Sequence, residues 1–368
     1  MGNHQIFSLI YIFLVWILTL VQSRKLIGMS DLYLFRRNNT SKSIIFLMIF
    51  LIFLMGFRPV DVGADTGGYL GKYRSMMAGL YIFDTSAKDW LFLRFQYICA
   101  QIMSASWFFL VVASLYIIPI YVACKRLVKN NATFLLLAAM GSFSFFSYGV
   151  NGIRNGVAAS FVLLALSYIS GSLKEKLLCA LICFVAINCH GSVLLPIVAM
   201  LFAYAFKHPK FMFYIWSLSV LSSLIIGQSL SGIFTMLGLD DRMMHYMTLE
   251  ESEETEAALA AAGFRLDFLL YSFMPILMGW YCIFRRKICD LNYHLLLGTY
   301  IYANAVWVIL IRIPFSNRFA YLSWFLYAIV LAYPLFKFQL WKNQGRKVAM
   351  IIMVHVSFTF LMYFYTGL

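Results

Sequence analysis

This sequence predicts an all-α, polytopic integral membrane protein, on three observations. Hydrophobic residues make up 62% of the 368 and charged residues only 12%, about half the charged fraction of a soluble domain. Apolar runs close to the roughly 20 residues that cross a bilayer as a helix recur from end to end. Basic residues cluster in alternate gaps between those runs, as cytoplasmic loops do. Mean hydropathy is +0.82, and no gap is large enough for a soluble domain, so residues 1–368 read as a single transmembrane domain.

Hydropathy places about twelve spans in order, near 5–23, 43–57, 107–124, 132–149, 154–171, 177–190, 192–206, 211–228, 265–284, 293–311, 319–336 and 348–366. Residues 1–23 carry no basic cluster before their apolar stretch, and the cluster follows instead, so they read as a span whose N-terminus lies outside. Two outer loops are long, about 58–106 and 229–264. Within the first, the stretch 87–106 is apolar but carries Lys88, Asp89 and Arg94. Counting it as a span would break the alternation of charged loops, so a re-entrant or interfacial helix is expected there. The second holds the acidic run Glu250-Glu251-Ser252-Glu253-Glu254-Thr255-Glu256, expected as a solvated loop. The spans 177–190 and 192–206 meet at His190-Gly191-Ser192 with almost no connection.

This topology puts nineteen of the 29 basic residues on the cytoplasmic side, opposed there only by Asp31, Glu175 and Asp290. Both termini then lie outside. The net charge of +14 is explained by orientation and not by nucleic-acid binding. The seven cysteines include no C-x-x-C pair and no His or acid at ligand spacing, and read as apolar packing residues.

The outer charges are not required by topology. Arg58, Arg154, Arg265, Arg312 and Arg318 each fall within a turn of an outer helix end, where a guanidinium is costly unless it has a partner or a ligand. Snorkelling to headgroups is the alternative, but five on one side beside polar groups favour a shared anionic ligand. In the first cluster, Arg58-Pro59-Val60-Asp61-Val62-Gly63-Ala64-Asp65-Thr66-Gly67-Gly68-Tyr69, the glycines make a turn. Asp65 is an acceptor for sugar hydroxyls or a proton, and Tyr69 and Tyr73 share a face if a helix starts near Thr66. The second cluster, Asn151-Gly152-Ile153-Arg154-Asn155-Gly156, opens a span with two amides and a guanidinium, suited to an anion. Its G-x-x-x-G spacing also fits close helix packing. The third, Asn188-Cys189-His190-Gly191-Ser192, offers a base near neutral pH. The fourth, Arg312-Ile313-Pro314-Phe315-Ser316-Asn317-Arg318-Phe319-Ala320-Tyr321, again joins arginines to amide and hydroxyl groups. Arg265 with Asp267 is a fifth, smaller piece.

No Walker A, G-x-S-x-G, H-E-x-x-H or metal-ligand spacing is present. Chemistry on the outer face has no ATP supply, so an activated donor would arrive attached to lipid, its phosphates matched by bidentate arginines.

The order Arg58…Gly63…Asp65…Tyr69, then Asn151…Arg154-Asn155, His190-Gly191-Ser192, and Asn317-Arg318…Tyr321 resembles the EpsG-like branch of Wzy-type polysaccharide polymerases, over most of the chain. Position 155 is Asn where that family usually has Gln. The resemblance implies a metal-independent glycosyltransferase of GT-C-like fold with an outward-facing cavity, in the cytoplasmic membrane of a bacterium. It would join undecaprenyl-pyrophosphate-linked repeat units into O-antigen, capsule or exopolysaccharide without a nucleotide sugar or other cofactor. Arg154, Arg318 and Arg58 would hold the pyrophosphates, and Asp65 or His190 would orient or deprotonate the acceptor hydroxyl. Tyr69, Tyr73, Asn151, Asn155, Ser192, Arg265, Arg312, Asn317 and Tyr321 would contact substrate. A flippase and a chain-length regulator are the implied partners. A lipid-linked oligosaccharide flippase and a membrane acyltransferase are the competing classes. The first should show two matched halves, and the second polar groups on the cytoplasmic side.

Overall fold

The computed structural model describes residues 3–36, 40–83, 89–226, 264–312 and 316–366. Among these the regular structure is helical throughout, with no strand. By length and composition five helices suffice to cross a membrane: Gln5–Gly28, Ala105–Met140, Leu266–Arg285, Asn317–Lys337 and Gln344–Phe364. Shorter apolar helices cover Lys42–Gly56, Ile153–Leu166, Gly191–Ala205 and Pro209–Ile225.

Several exposed helix faces are apolar. Ile6, Ile10, Phe13 and Ile17 form one exposed stripe, Tyr214, Leu218, Leu221 and Ile225 another, and Met350, Val354, Phe358 and Leu361 a third. Spacings of three and four residues put each set on one helix face. A helix in water would carry polar groups there, so these stripes are suited to lipid.

The chain divides into two compact units, residues 1–193 with 331–368, and residues 194–330. In the first, α1 (Asn3–Ile27) packs along α17 (Gln344–Thr366). Trp16 donates its indole N–H to Ser357 Oγ at 3.0 Å, and Tyr363 its hydroxyl to the Gln5 carbonyl at 2.8 Å. The short α2 is Asp31–Arg36. Helices α3 (Lys42–Gly56) and α9 (Ile153–Leu166) pack on α6 (Ala105–Val128), and α10 (Leu173–Cys189) packs on α9. A Cβ on Gly56 would lie 2.6 Å from the Leu110 Cα, so this glycine sets how closely α3 approaches α6.

The expected span 132–149 is instead two helices, α7 (Ala132–Met140) and α8 (Phe143–Val150). The break falls at Gly141-Ser142. A Cβ at Gly141 would come within 2.4 Å of Val356 Cγ2, so the glycine gives room to α17. Ser142 then stands at the N-cap of α8 in extended conformation. The segment 58–106, expected as an outer loop, contains α4 (Thr66–Met77) and α5 (Trp90–Ile102). Most of the loop 229–264, with its acidic run, lies outside the described residues.

Hydrogen bonds gather the predicted cytoplasmic segments at one end of this unit. Asn131 Nδ2 donates to the Leu34 and Phe336 carbonyls, and Asn130 Nδ2 to that of Phe35. Asp31 accepts from the backbone N–H groups of Asn343 and Gln344. Arg126 pairs with Glu175. Helices α3, α9 and α10 run from this basic end to the other, where Arg58, Arg154 and His190 lie at their ends.

The second unit contains α11 (Leu194–Ala205), α12 (Pro209–Ile226), α13 (Leu266–Trp280), α14 (Leu291–Ile309), α15 (Asn317–Trp324) and the first residues of α16 (Tyr327–Lys337). Helix α14 packs on α11, α12, α13 and α15. Buried polar bonds cross between helices here, with Asn304 of α14 at their centre. Trp216 Nε1 donates to Asn304 Oδ1 at 2.8 Å and Asn304 Nδ2 to Ser323 Oγ at 3.0 Å, while Trp324 Nε1 donates to Ser272 Oγ at 2.7 Å. Such bonds join helices where the hydrophobic effect cannot.

Candidate active site

At the non-basic end of the first unit, the segment after α3 turns back on itself. Arg58 is buried, 7% exposed. Its Nη1 donates to the Met55 carbonyl at 2.7 Å and its Nε to Thr66 Oγ1 at 3.1 Å, and its guanidinium lies 4.5 Å from the centre of the Phe109 ring. Burial draws its pKa down to about 10, against the pull of Tyr69, which leaves it cationic at neutral pH. Arg58 Nη2 is buried and has no hydrogen-bond partner among the described residues.

Gly63 makes the turn with φ +90°, a region L-residues seldom enter. The next N–H, of Ala64, donates to Asn151 Oδ1 at 2.8 Å. Asn151 is therefore a staple between α8 and this turn. Helix α4 starts at Thr66 with Asp65 at its N-cap position. Tyr69 and Tyr73 do lie a turn apart, but only Tyr69 keeps an open face. Tyr73 is fully buried, packs its ring 4.8 Å from that of Phe108 and donates its hydroxyl to the Met103 carbonyl at 2.9 Å. Tyr73→Phe is expected to lower stability by about 1 kcal/mol, read as a drop in the unfolding midpoint of the detergent-solubilised protein.

Three segments meet around one carboxylate, that of Asp89. Arg154 Nη1 donates to Asp89 Oδ2 at 2.7 Å, and His190 Nδ1 lies 3.0 Å from the same oxygen. The Gly191 N–H donates to Asp89 Oδ1 at 3.1 Å. Arg154 also donates from Nε to the Tyr69 hydroxyl at 3.3 Å, and Asp65 adds its charge to the field there. Ser192 Oγ donates to Asn155 Oδ1 at 3.4 Å. The side chains of Arg154, Asp89 and His190 are 19%, 11% and 24% exposed, so the group is enclosed but reachable.

Local structure explains the convergence. Arg154 is the second residue of α9, where the helix dipole disfavours a cation, and Asp89 offsets that. His190 leaves α10 in an extended conformation, φ −159° and ψ 117°, which separates its ring from the helix face. Asp89 directly precedes α5, and Trp90 Nε1 donates to Asn188 Oδ1, tying α5 to the end of α10. Burial alone would raise the Asp89 carboxyl. The hydrogen bond with His190, the charges of His190 and Arg154, and the Gly191 N–H outweigh it, so the carboxyl stays below its ordinary value. Asp89 is thus an ionised hydrogen-bond acceptor.

Asp89 was hidden in the sequence inside the ambiguous stretch 87–106. A carboxylate in an apolar stretch is functional by default, and Arg154 and His190 both called for such a partner. The glycine spacing divides: a Cβ on Gly156 would come 2.4 Å from the Tyr148 carbonyl oxygen, whereas Gly152 has only atoms at 3.8 Å. Gly156 therefore serves close packing and Gly152 does not.

The remaining predicted residues belong to the second unit. Arg265 forms a bidentate, exposed pair with Asp267 at 3.0 and 2.7 Å and stacks 3.9 Å from the Phe268 ring centre. Arg312 donates from Nε to the Ser223 carbonyl at 3.2 Å. Asn317 and Arg318 open α15, and Tyr321 meets Trp324 edge-on at 5.5 Å. Ile313, Pro314 and Phe315 lie outside the described residues. Among the described residues, no three His, Cys, Asp or Glu side chains gather at metal-binding spacing.

Lipid-suited helices around an Arg–Asp–His cluster define a polytopic membrane protein with a polar site at one end of its first unit. A sequence model of the EpsG family matches residues 42–368. The chain belongs to the EpsG family, and is accordingly a polysaccharide-polymerase-like membrane protein. Comparison with curated proteins and with solved structures gave no match.

Proposed function

We propose that this chain is a glycosyltransferase that joins lipid-linked oligosaccharide repeat units at the outer face of the bacterial cytoplasmic membrane, for O-antigen, capsule or exopolysaccharide. The observation that carries the reading is the Arg154–Asp89–His190 cluster, at the end of the first unit away from the gathered Lys and Arg residues. By the positive-inside rule the basic end faces the cytoplasm, which turns the cluster outward. A GT-C-like arrangement of twelve spans, with both termini outside and an outward-facing cavity, fits this orientation.

In the reaction, a hydroxyl oxygen of the acceptor repeat unit attacks the anomeric carbon of the donor glycan. The bond from that carbon to the diphosphate oxygen breaks, and its electron pair leaves with undecaprenyl diphosphate. The hydroxyl proton passes to a base on the enzyme and then to the departing diphosphate or to water. Arg154 and Arg58 supply cationic donors to the diphosphate in this reading. The unpartnered Nη2 of Arg58 is suited to an anionic oxygen, since a buried donor without an acceptor is costly. In the second unit, Arg318, Arg312, Arg265, Asn317 and Tyr321 are proposed substrate contacts. Tyr69, Asn155 and Ser192 face the glycan. Charge is met by guanidinium groups, so the step needs no metal or nucleotide. A flippase supplying the units and a chain-length regulator are the proposed partners.

The test is reconstitution in liposomes with a purified lipid-linked repeat unit. A ladder of lengthening glycans on lipid is expected. Units that change leaflet without lengthening would instead make the protein a flippase.

A further inference from the structure

We infer that Asp89 is the positioning residue for His190, and that His190, not Asp65, receives the acceptor proton. This rests on the polymerase reading for the identity of the acceptor, but the pairing of the two side chains stands on geometry alone.

The carboxylate reaches His190 twice. Oδ2 lies 3.0 Å from the ring Nδ1, and Oδ1 accepts the N–H of the next residue, Gly191, at 3.1 Å. Ring and following backbone are therefore held against one carboxylate plane. A second tie, Trp90 Nε1 to Asn188 Oδ1, fixes the start of α5 against the end of α10 on the neighbouring residues. An ionised carboxylate only accepts hydrogen bonds, so the hydrogen between it and the imidazole must sit on Nδ1. In the neutral ring the lone pair is then on Nε2, the atom away from Asp89. That is the tautomer a base needs, with a carboxylate already placed to stabilise the imidazolium it becomes.

Arg154 sets the limits of this arrangement. Its Nη1 shares Oδ2 with His190, so Asp89 couples the proton acceptor to the cation offered to the diphosphate. Asp65 has a different position. It stands at the N-cap of α4 without a capping bond, and its charge acts on Arg154. Protonating Asp65 would remove negative charge from beside Arg154, whereas a proton on Nε2 of His190 strengthens its bond to Asp89.

The amide of an Asp89→Asn variant would reverse the hydrogen bond. If its Oδ1 keeps the Gly191 N–H, its NH₂ faces Nδ1 and donates to it. The hydrogen of the neutral ring then moves to Nε2, and the lone pair is lost from the reactive side.

Two measurements on the full-length protein test the inference. The first needs no substrate. In ¹⁵N-histidine-labelled protein, with the His190 signals assigned by their loss in His190→Gln, wild type is expected to show the Nδ1–H tautomer. Asp89→Asn should shift it to Nε2–H. A wild-type ring protonated at Nε2, or one indifferent to Asp89→Asn, overturns the pairing whatever the protein's activity.

The second is a double-mutant cycle on elongation of the lipid-linked repeat unit. Asp89→Asn and His190→Ala should each lower kcat by roughly 10²–10⁴-fold, the range of a lost acid–base group. The double variant should be no worse than His190→Ala alone, because residues acting as a unit are not additive. Asp89→Glu should recover part of the rate, and Asp65→Asn should raise KM more than it lowers kcat. Losses that multiply in the double variant would mean that Asp89 acts only through Arg154 or the fold. A kcat loss in Asp65→Asn matching that of His190→Ala would move the base to Asp65. Wild type that fails to elongate any repeat unit would sink the polymerase reading and the proton-acceptor role, and leave the tautomer result to decide the pairing.

Discussion

Arg154→Ala is expected to abolish long polymer while leaving the protein in the membrane. The guanidinium is counter-ion to Asp89 and donates to the Tyr69 hydroxyl, and in the proposed reaction it also meets the diphosphate. Removing one preorganised donor to developing negative charge costs about 10²–10³ in rate, enough to reduce a long ladder to one or a few units. The pair is enclosed, so some stability is lost, but Asp89 keeps His190 and the Gly191 N–H as partners, which holds the cost below the roughly 3–5 kcal/mol of a buried charge left alone. Arg154→Lys should restore a fraction. An ammonium keeps the charge, but it cannot hold Asp89, Tyr69 and a phosphate oxygen in one planar fork. The check is surface-polysaccharide length by gel in cells carrying each variant, with membrane protein quantified in parallel. Arg318→Ala belongs in the same series. Full-length polymer in both alanine variants at normal protein level would refute an arginine-based anion site.

Gly63→Ala should cost about 2–5 kcal/mol, from two separate effects. A φ of +90° is unfavourable to any L-residue by roughly 1–2 kcal/mol. The added methyl would also sit 2.7 Å from Asn151 Oδ1 and from Val150 Cγ1, and overpacking of this kind costs about 1–3 kcal/mol. The displaced atom is the acceptor of the Ala64 N–H, so the turn would lift from α8 and carry Asp65 and Tyr69 with it. Gly67→Ala is the control: nothing lies within 4 Å of its added Cβ, and in the first turn of α4 alanine should stabilise by up to about 1 kcal/mol. Thermal unfolding in detergent should show a large drop for Gly63→Ala and a small rise for Gly67→Ala.

Much of this was legible in the sequence because membrane topology is written in one-dimensional signals. Helices at 3–27, 42–56, 153–166, 173–189 and 291–309 match apolar runs bounded by charge, since hydrocarbon imposes length and loops impose sign. Arg154, Asn155, His190 and Ser192 could be singled out singly because each is costly where it lies. Their common partner could not be. Asp89 is 65 residues from Arg154 and 101 from His190, and only the packing of α5 against α10 brings it there. Hydropathy also merged α7 with α8. Gly141 reads as one more small residue in a span until Val356, distant in sequence, is seen against it. Tyr73 shows the same limit, because helical spacing pairs it with Tyr69 but says nothing of the Phe108 ring that covers it.

The pairing of α1 with α17 bears on how the protein is made. Ribosomes deliver Asn3–Ile27 long before Gln344–Thr366, yet the two pack together in one unit. Between them the chain builds all of the second unit. During synthesis the side of α1 that bears Trp16 therefore faces lipid, or a helper protein, until Gln344–Thr366 has emerged. Contacts this distant in sequence form late and carry a high loop-closure cost. The Arg154–Asp89–His190 cluster uses only residues before 193 and can assemble early, so chemistry and closure of this molecule are separated in time.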